Sequence, residues 1–271
     1  MGARILDGHA VAAATLARVR DEVAEYAAGR GRVPVLVVVG ESDCVPAGER
    51  VGMTVHRVEL PASEPALVAA IRELSLDPSV DGVLVQHPLP APLDERVVYD
   101  AVDPAQDVGG VTGASFAALA LGTPGPVPAT PGAIMALLDA HDVRLAYRQA
   151  VVIGGGATLG RPMGMLLLAR DATVTYCHSH TIDLAAHIAE ADVVIAAAGQ
   201  PGLVPGRWVK QGAVVVDTGD PGDVEHAAAA ERASLITPVP NGLGPLAVAT
   251  VLAQTVRAAR ESSRGRVRQM T

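Results

Sequence analysis

Val151-Val152-Ile153-Gly154-Gly155-Gly156-Ala157-Thr158-Leu159-Gly160-Arg161-Pro162 decides the fold of the second half of this chain. A short apolar run that feeds glycines and then a helix places bare backbone N–H groups where a ligand's phosphates can rest. The spacing Gly154, Gly156, Gly160 is one residue longer than the usual dinucleotide fingerprint, so a purely structural turn is the competing reading. Sites that take NAD usually carry an acid roughly 20 residues downstream for the ribose hydroxyls. Residues 173–181 contain no carboxylate.

Outward from this loop, strands and helices alternate. Residues 132–141 read as a helix, 150–153 as a strand, 161–170 as a helix and 173–176 as a strand. A helix at 184–190 and strands at 193–197 and 213–216 follow, which is the order of a Rossmann-like dinucleotide-binding domain. Upstream, residues 7–29 carry Val11, Leu16, Val19 and Val23 at helical spacing. Residues 35–39 are a dense valine run of the kind a buried parallel strand needs. A strand at 55–60, a helix at 64–74 and a strand at 82–85, which runs into Gln86-His87-Pro88-Leu89-Pro90, complete a first α/β layer. The Pro/Gly-rich residues 122–131 predict the boundary. The expected architecture is therefore α/β in two domains with a cleft between them. The N-terminal parallel-sheet domain takes residues 1–121 plus a final helix at 246–260, the Rossmann-like domain takes 122–245, and residues 261–271 form a disordered tail.

Composition limits the function. Of 271 residues, 49% are hydrophobic and only 18% charged, which suits a globular chain with a sizeable core. The net charge of -8 argues against nucleic acid as a partner. No apolar run is long enough for a membrane span, the first ten residues lack a signal peptide's pattern, and Leu6 spoils a myristoylation start. A cytoplasmic protein is expected. Cys44 and Cys177 are far apart in sequence, and of the 21 basic residues Lys210 is the one lysine. His178 and His180, two apart, could place both rings on one face. With no third ligand nearby, contacts to a cofactor's adenosine end are the better reading and no metal site is expected.

Four ordered motifs make the reading specific. They are residues 82–90, Pro128-Ala129-Thr130-Pro131-Gly132, residues 173–181, and Thr237-Pro238-Val239-Pro240-Asn241-Gly242-Leu243-Gly244-Pro245. Together with Ile5-Leu6-Asp7-Gly8 at the start, they resemble the methylenetetrahydrofolate dehydrogenase/cyclohydrolase family over essentially the whole chain. The resemblance implies oxidation of a folate-borne methylene with NADP, hydrolysis of the methenyl product to formyl, and a homodimer formed through the second domain. It implies catalytic work at Gln86 and substrate contacts at Gly242 and Pro245. It also implies cofactor contacts at Thr130, Gly154, Gly155, Gly156, Gly160, His178, Ser179, Ala198, Gly199, Gly219 and Thr237.

The departures from the family matter more. After its first strand the family carries a helix with a tyrosine and, one turn later, a catalytic lysine. Here residues 41–52 are about two helical turns too short, contain Pro46 and Gly48 as breakers, and have neither residue type. Lys210 lies in the other half, and Arg50 cannot substitute because a guanidinium does not release its proton. The family's Lys-Asp-Val-Asp-Gly reads Gln106-Asp107-Val108-Gly109-Gly110, so Gly109 replaces the carboxylate that grips the pterin. Asp107, Glu41 and Glu49 are the possible replacements. The family's Gly-Arg-Ser loop is Gly154-Gly155-Gly156, and His180 replaces a basic residue. Two partners of the NADP 2′-phosphate are thus gone, leaving NAD, weakly held NADP or no cofactor open.

Hydride transfer needs placement rather than a general base, whereas hydrolysis of the methenyl group needs proton handling. The leading expectation is a methylenetetrahydrofolate dehydrogenase with impaired or lost cyclohydrolase activity. One alternative is a diverged paralogue acting on another substrate in specialised metabolism, with Gln86, His87, Asp107, Glu49 and His56 as actors. The other is a non-catalytic binding or partner subunit. His87 stands where the family is apolar, directly beside Gln86.

Overall fold

The computed structural model describes residues 2–61, 63–219, 221–238, 240 and 242–269, with side chains as far as 262. In chain order the elements begin with β1 (Arg4–Ile5), α1 (Gly8–Arg30), β2 (Val35–Val39), α2 (Cys44–Arg50) and β3 (Thr54–Val58). Next come α3 (Glu64–Leu76), β4 (Gly82–Val85), α4 (Glu95–Tyr99), α5 (Gly113–Leu121) and α6 (Ala129–Ala140). They continue with β5 (Gln149–Ile153), α7 (Gly160–Leu168), β6 (Thr173–Cys177), α8 (Leu184–Glu190) and β7 (Val193–Ala196). The last are a 3-10 turn at Gly206–Trp208, β8 (Val214–Asp217), α9 (His226–Ala230), β9 (Leu235–Ile236) and α10 (Leu243–Gln269). Two compact units result, one of Ala12–Ala129 with Ala247–Thr271, the other of Met1–Val11 with Thr130–Leu246.

The first of these holds a parallel sheet in the order β3-β2-β4. Leu36 and Val38 pack on one face against Val19 and Val23 of α1, Cys44 and Ala47 of α2, and Val251, Leu252 and Val256 of α10. Val37, Val39, Val83 and Val85 pack on the other against Leu67 and Ile71 of α3 and Val98 and Tyr99 of α4. A strand covered on both faces needs apolar side chains at every position, which is why residues 35–39 read Val-Leu-Val-Val-Val.

The other unit holds a six-stranded, all-parallel sheet in the order β1-β9-β8-β7-β5-β6. From β5 the chain passes to β6 on one side and then to β7 on the other. The strand order therefore reverses at β5, and the glycine loop 154–159 leaves the carboxyl end of that strand. In open α/β sheets this switch point is where ligands bind.

Several expectations are corrected here. Within residues 41–52, expected to be broken by Pro46 and Gly48, a short helix does form at Cys44–Arg50, because Pro46 sits in the first turn of α2, where its missing N–H leaves no bond unmade. Gly48 is required in that helix, since a Cβ would collide with Val55 of β3. Residues 1–11 belong with the six-stranded sheet rather than the N-terminal domain, because β1 pairs with β9. Residues 122–129 belong with the three-stranded unit rather than the Rossmann-like one. Gln254 of α10 clamps Val127 there, accepting its N–H at 2.8 Å and donating to its carbonyl at 3.0 Å. The same amide donates to Val108 O at 2.9 Å, which ties the linker to the body of the unit. Residues 261–269, expected to be disordered, continue α10, because extending a formed helix needs no new nucleus. Residues 270 and 271 of the expected tail, and Val239 and Asn241 of the fourth motif, lie outside the described residues.

Candidate functional site

In the three-stranded unit, β2 and β4 end side by side, with Val39 in register with Val85. Gly40 and Gln86 follow them. The Gln86 side-chain oxygen accepts the Glu41 N–H at 2.7 Å, and its NH2 donates to Pro88 O at 3.4 Å. Gly40 has φ 99° and a Cβ there would collide with the Gln86 side chain, so glycine is required for the amide to lie across the strand end. The catalytic amide expected from the sequence is thus a held group.

His87 faces the α4 side. Its Nδ1 lies 3.1 Å from Glu95 Oε1 and 3.0 Å from Tyr99 Oη. Glu95 Oε1 also accepts from Leu89 N at 3.0 Å and from the Tyr99 hydroxyl at 3.3 Å. A carboxylate can only accept, so the network assigns a proton to His87 Nδ1. Burial, followed by the charge of Glu95, raises the pKa of Tyr99, which stays a neutral donor. Glu95 and Tyr99 escape a reading of the sequence because α4 is only five residues long.

Asp107 is buried and committed to structure. It accepts from Val111 N at 3.1 Å, Thr112 N at 2.9 Å and the Ser115 hydroxyl at 2.6 Å, so its oxygens are engaged within the protein. Glu41 is paired with Arg57. Glu49 is exposed on α2, and His56 is exposed on β3 in register with Val37, on the strand face opposite Val55, which packs under α2. The structure therefore does not bring Glu49 and His56 together. A Cβ at Gly109 would meet Leu84 Cδ1 at 3.4 Å and Val111 Cγ2 at 3.7 Å, so the backbone there tolerates a side chain. Burial pushes the Cys44 thiol up to about 11, which leaves it un-ionised at neutral pH.

In the six-stranded unit the four glycines divide into two pairs. A Cβ at Gly154, φ 126°, would collide with Ala197 O, and one at Gly160 would collide with Gly154 O. These two positions hold the loop against β7 and start α7. A Cβ at Gly155 or Gly156 meets nothing within 4 Å, so this stretch is open, bare backbone. That is the cradle a pyrophosphate requires, so the residues present fit a dinucleotide. Thr130 is half-buried in the first turn of α6.

Other expected cofactor contacts are already engaged. The Ala198 and Gly199 N–H groups donate to the buried Asp223 carboxylate at 2.6 and 3.1 Å. Gly219 N donates to Asp217 Oδ1 at 2.9 Å, and the buried Thr237 hydroxyl accepts from Asp217 N at 2.9 Å. At the end of β6, His178 and Ser179 are exposed, and His178 Nδ1 accepts the His180 N–H at 3.1 Å. Among the described residues no three His, Cys, Asp or Glu side chains are grouped to hold a metal. Gly242, φ 65°, packs against His9, while Pro245 is exposed. No helix among the described residues is long and apolar enough to cross a membrane.

Comparison with known proteins identifies both halves of the chain. Residues 6–109 match the family model described as tetrahydrofolate dehydrogenase/cyclohydrolase, catalytic domain, and residues 128–263 match the NAD(P)-binding domain of that description. The chain is 51% identical over 275 residues to bifunctional protein FolD 1 of Salinispora arenicola, with 96% of this chain and 99% of that protein covered. It is 46% identical over 273 residues to bifunctional protein FolD 1 of Streptomyces avermitilis, with 95% of each covered. Among solved structures, it is similar to the Trypanosoma brucei methylenetetrahydrofolate dehydrogenase-cyclohydrolase complexed with NADP and inhibitor. The TM-score is 0.91 at 33% identity, over 97% of this chain and 99% of that one.

Proposed function

This chain belongs to the tetrahydrofolate dehydrogenase/cyclohydrolase family, and from that premise we propose that it oxidises 5,10-methylenetetrahydrofolate with NAD or NADP and hydrolyses the methenyl product only slowly. One observation carries the asymmetry. The glycine cradle at 154–160 is intact, whereas the unit that bears Gln86 has no lysine among residues 12–129 and 247–271.

Gly154 to Gly160 and the N-terminus of α7 would hold the pyrophosphate, and a bound nicotinamide supplies a hydride acceptor. The protein's task in oxidation is placement, because the cation left behind is shared by the two nitrogens that flank the reacting carbon. The Gln86 amide, held over Gly40, presents a fixed dipole and needs no proton transfer for this step.

Hydrolysis is different. Water that attacks the methenyl carbon must lose a proton, and the nitrogen that departs must gain one. His87, oriented by its Nδ1–H bond to Glu95, takes the first proton at Nε2 and returns it to that nitrogen. The hydroxyl proton of the adduct passes to solvent as the formyl C=O forms. With the family's lysine absent, this single imidazole supports only residual hydrolysis.

With Gly109 in place of the family's acid, folate binds weakly, and with Gly155-Gly156 in place of Arg-Ser, the 2′-phosphate of NADP is poorly gripped. The chain functions in the cytoplasm as a homodimer through its NAD(P)-binding unit. The edge strand β6 and helix α7, which expose Tyr176 and Leu168, support that surface. The test is reduced-nicotinamide absorbance on mixing purified protein, methylenetetrahydrofolate and either NAD or NADP. Turnover with one of them supports the reading, and no turnover with both overturns it.

A further inference from the structure

A recess of about 340 Å3 opens at the amino-terminal edge of the six-stranded sheet, where β1, β5, β7, β8 and β9 begin. This is the end opposite the glycine loop. Arg4 of β1 and Arg144 and Arg148 of the segment between α6 and β5 line it. Among the described residues, none of the three guanidinium groups makes a hydrogen bond or ion pair, in contrast to Arg32, Arg96 and Arg170, each of which holds an aspartate. Arg144 lies over the Tyr147 ring at 5.7 Å, a stacking contact that leaves its N–H edge open. Arg148 has only a longer-range interaction, with Asp192.

The two acids that also line the recess do not cancel these charges. Asp192 is neutralised by Lys210 at 2.7 Å and occupied by Gln149 N at 3.0 Å, leaving Asp142 alone against three guanidinium groups. His141 uses Nδ1 to donate to Leu137 O at 2.9 Å, so Nε2 can turn toward a ligand. In a chain of net charge -8, three convergent arginines without carboxylate partners form a local reversal of sign. Guanidinium forks match tetrahedral oxyanions, and the volume suits a small ligand.

We propose that this recess is a second binding site, for a compact phosphate-bearing anion, separate from the glycine cradle. The probe is pyrophosphate, titrated calorimetrically into the full-length protein at fixed ionic strength. Arg144→Ala/Arg148→Ala removes two exposed charges from the recess, and Arg18→Ala/Arg20→Ala removes two from the surface of α1. The proposal expects saturable binding at one site, weakened roughly tenfold or more in the first variant and unchanged in the second. Binding that survives intact in the first variant places the anion at the glycine loop or on no defined site and overturns the proposal. So does an absence of saturable binding by the unaltered protein, or citrate binding as tightly as pyrophosphate.

Discussion

Lys210 Nζ lies 2.7 Å from Asp192 Oδ1 and 3.3 Å from Glu190 O, so the one lysine in the protein is a structural cation of the NAD(P)-binding unit. The bond to Lys210 is the main reason the Asp192 carboxyl titrates below its ordinary range. Stabilisation from a carboxylate with a lowered pKa is present above the unfolded value of about 3.9 and is lost as pH falls through the folded value. Side-chain exposures of 41% and 23% limit the pair to about 1 kcal/mol or less. Lys210→Ala should therefore reduce stability slightly at pH 7, a difference that shrinks as pH falls through the folded Asp192 value, measured by urea unfolding, and leave the dehydrogenase rate unchanged. A loss of rate with unaltered stability would contradict this.

Restoring an acid at Gly109 should tighten folate binding. The backbone there has no positive φ, and the nearest contact to a new Cβ is 3.4 Å. A charge-assisted contact of about 1.5–3 kcal/mol corresponds to a KM for methylenetetrahydrofolate lowered roughly tenfold or more in Gly109→Asp. An unchanged KM would show that the pterin is gripped elsewhere.

Restoring the cofactor loop should be equally direct. Gly155→Arg with Gly156→Ser meets open space and should shift preference toward NADP by roughly tenfold. Gly160→Ala, which drives a methyl into Gly154 O, should abolish binding of both cofactors. Equal preference in the first variant, read by fluorescence titration, would remove the loop from the account of selectivity.

His87→Leu separates the two reactions. Residual hydrolysis should fall to the buffer rate while hydride transfer stays within roughly twofold, since oxidation uses no base. Glu95→Gln, which takes the charge from Nδ1–H, should fall between His87→Leu and the unaltered protein. Hydride transfer lost in step with hydrolysis would point to a folding role for the Glu95, His87 and Tyr99 network.

Much of the fold is legible in residue order because the strands are covered on both faces and must be apolar throughout. Val35–Val39 and Gly82–Val85 are bounded correctly for that reason. β1 is missed because two residues carry no period, and its place is set by a partner more than 200 residues away. In α2 the sequence rule about proline fails, since Pro46 occupies the turn where no donor is needed. The site is legible where a requirement is local, as with Gly154 feeding α7, and hidden where a distant side chain decides. Nothing around Ala198 and Gly199 announces that Asp223 will take their N–H groups, and nothing around Asp107 announces that its oxygens turn toward Thr112 and Ser115.

The central claim is that oxidation has outlived hydrolysis, and the product ratio measures it directly. Purified protein is given methylenetetrahydrofolate with saturating NAD or NADP, and reduced nicotinamide, methenyl product and formyl product are followed together. Reduced nicotinamide and methenyl should rise in equal amounts, with formyl appearing only slightly faster than in buffer. Formyl that keeps pace with reduced nicotinamide, with no methenyl accumulating, would contradict the account.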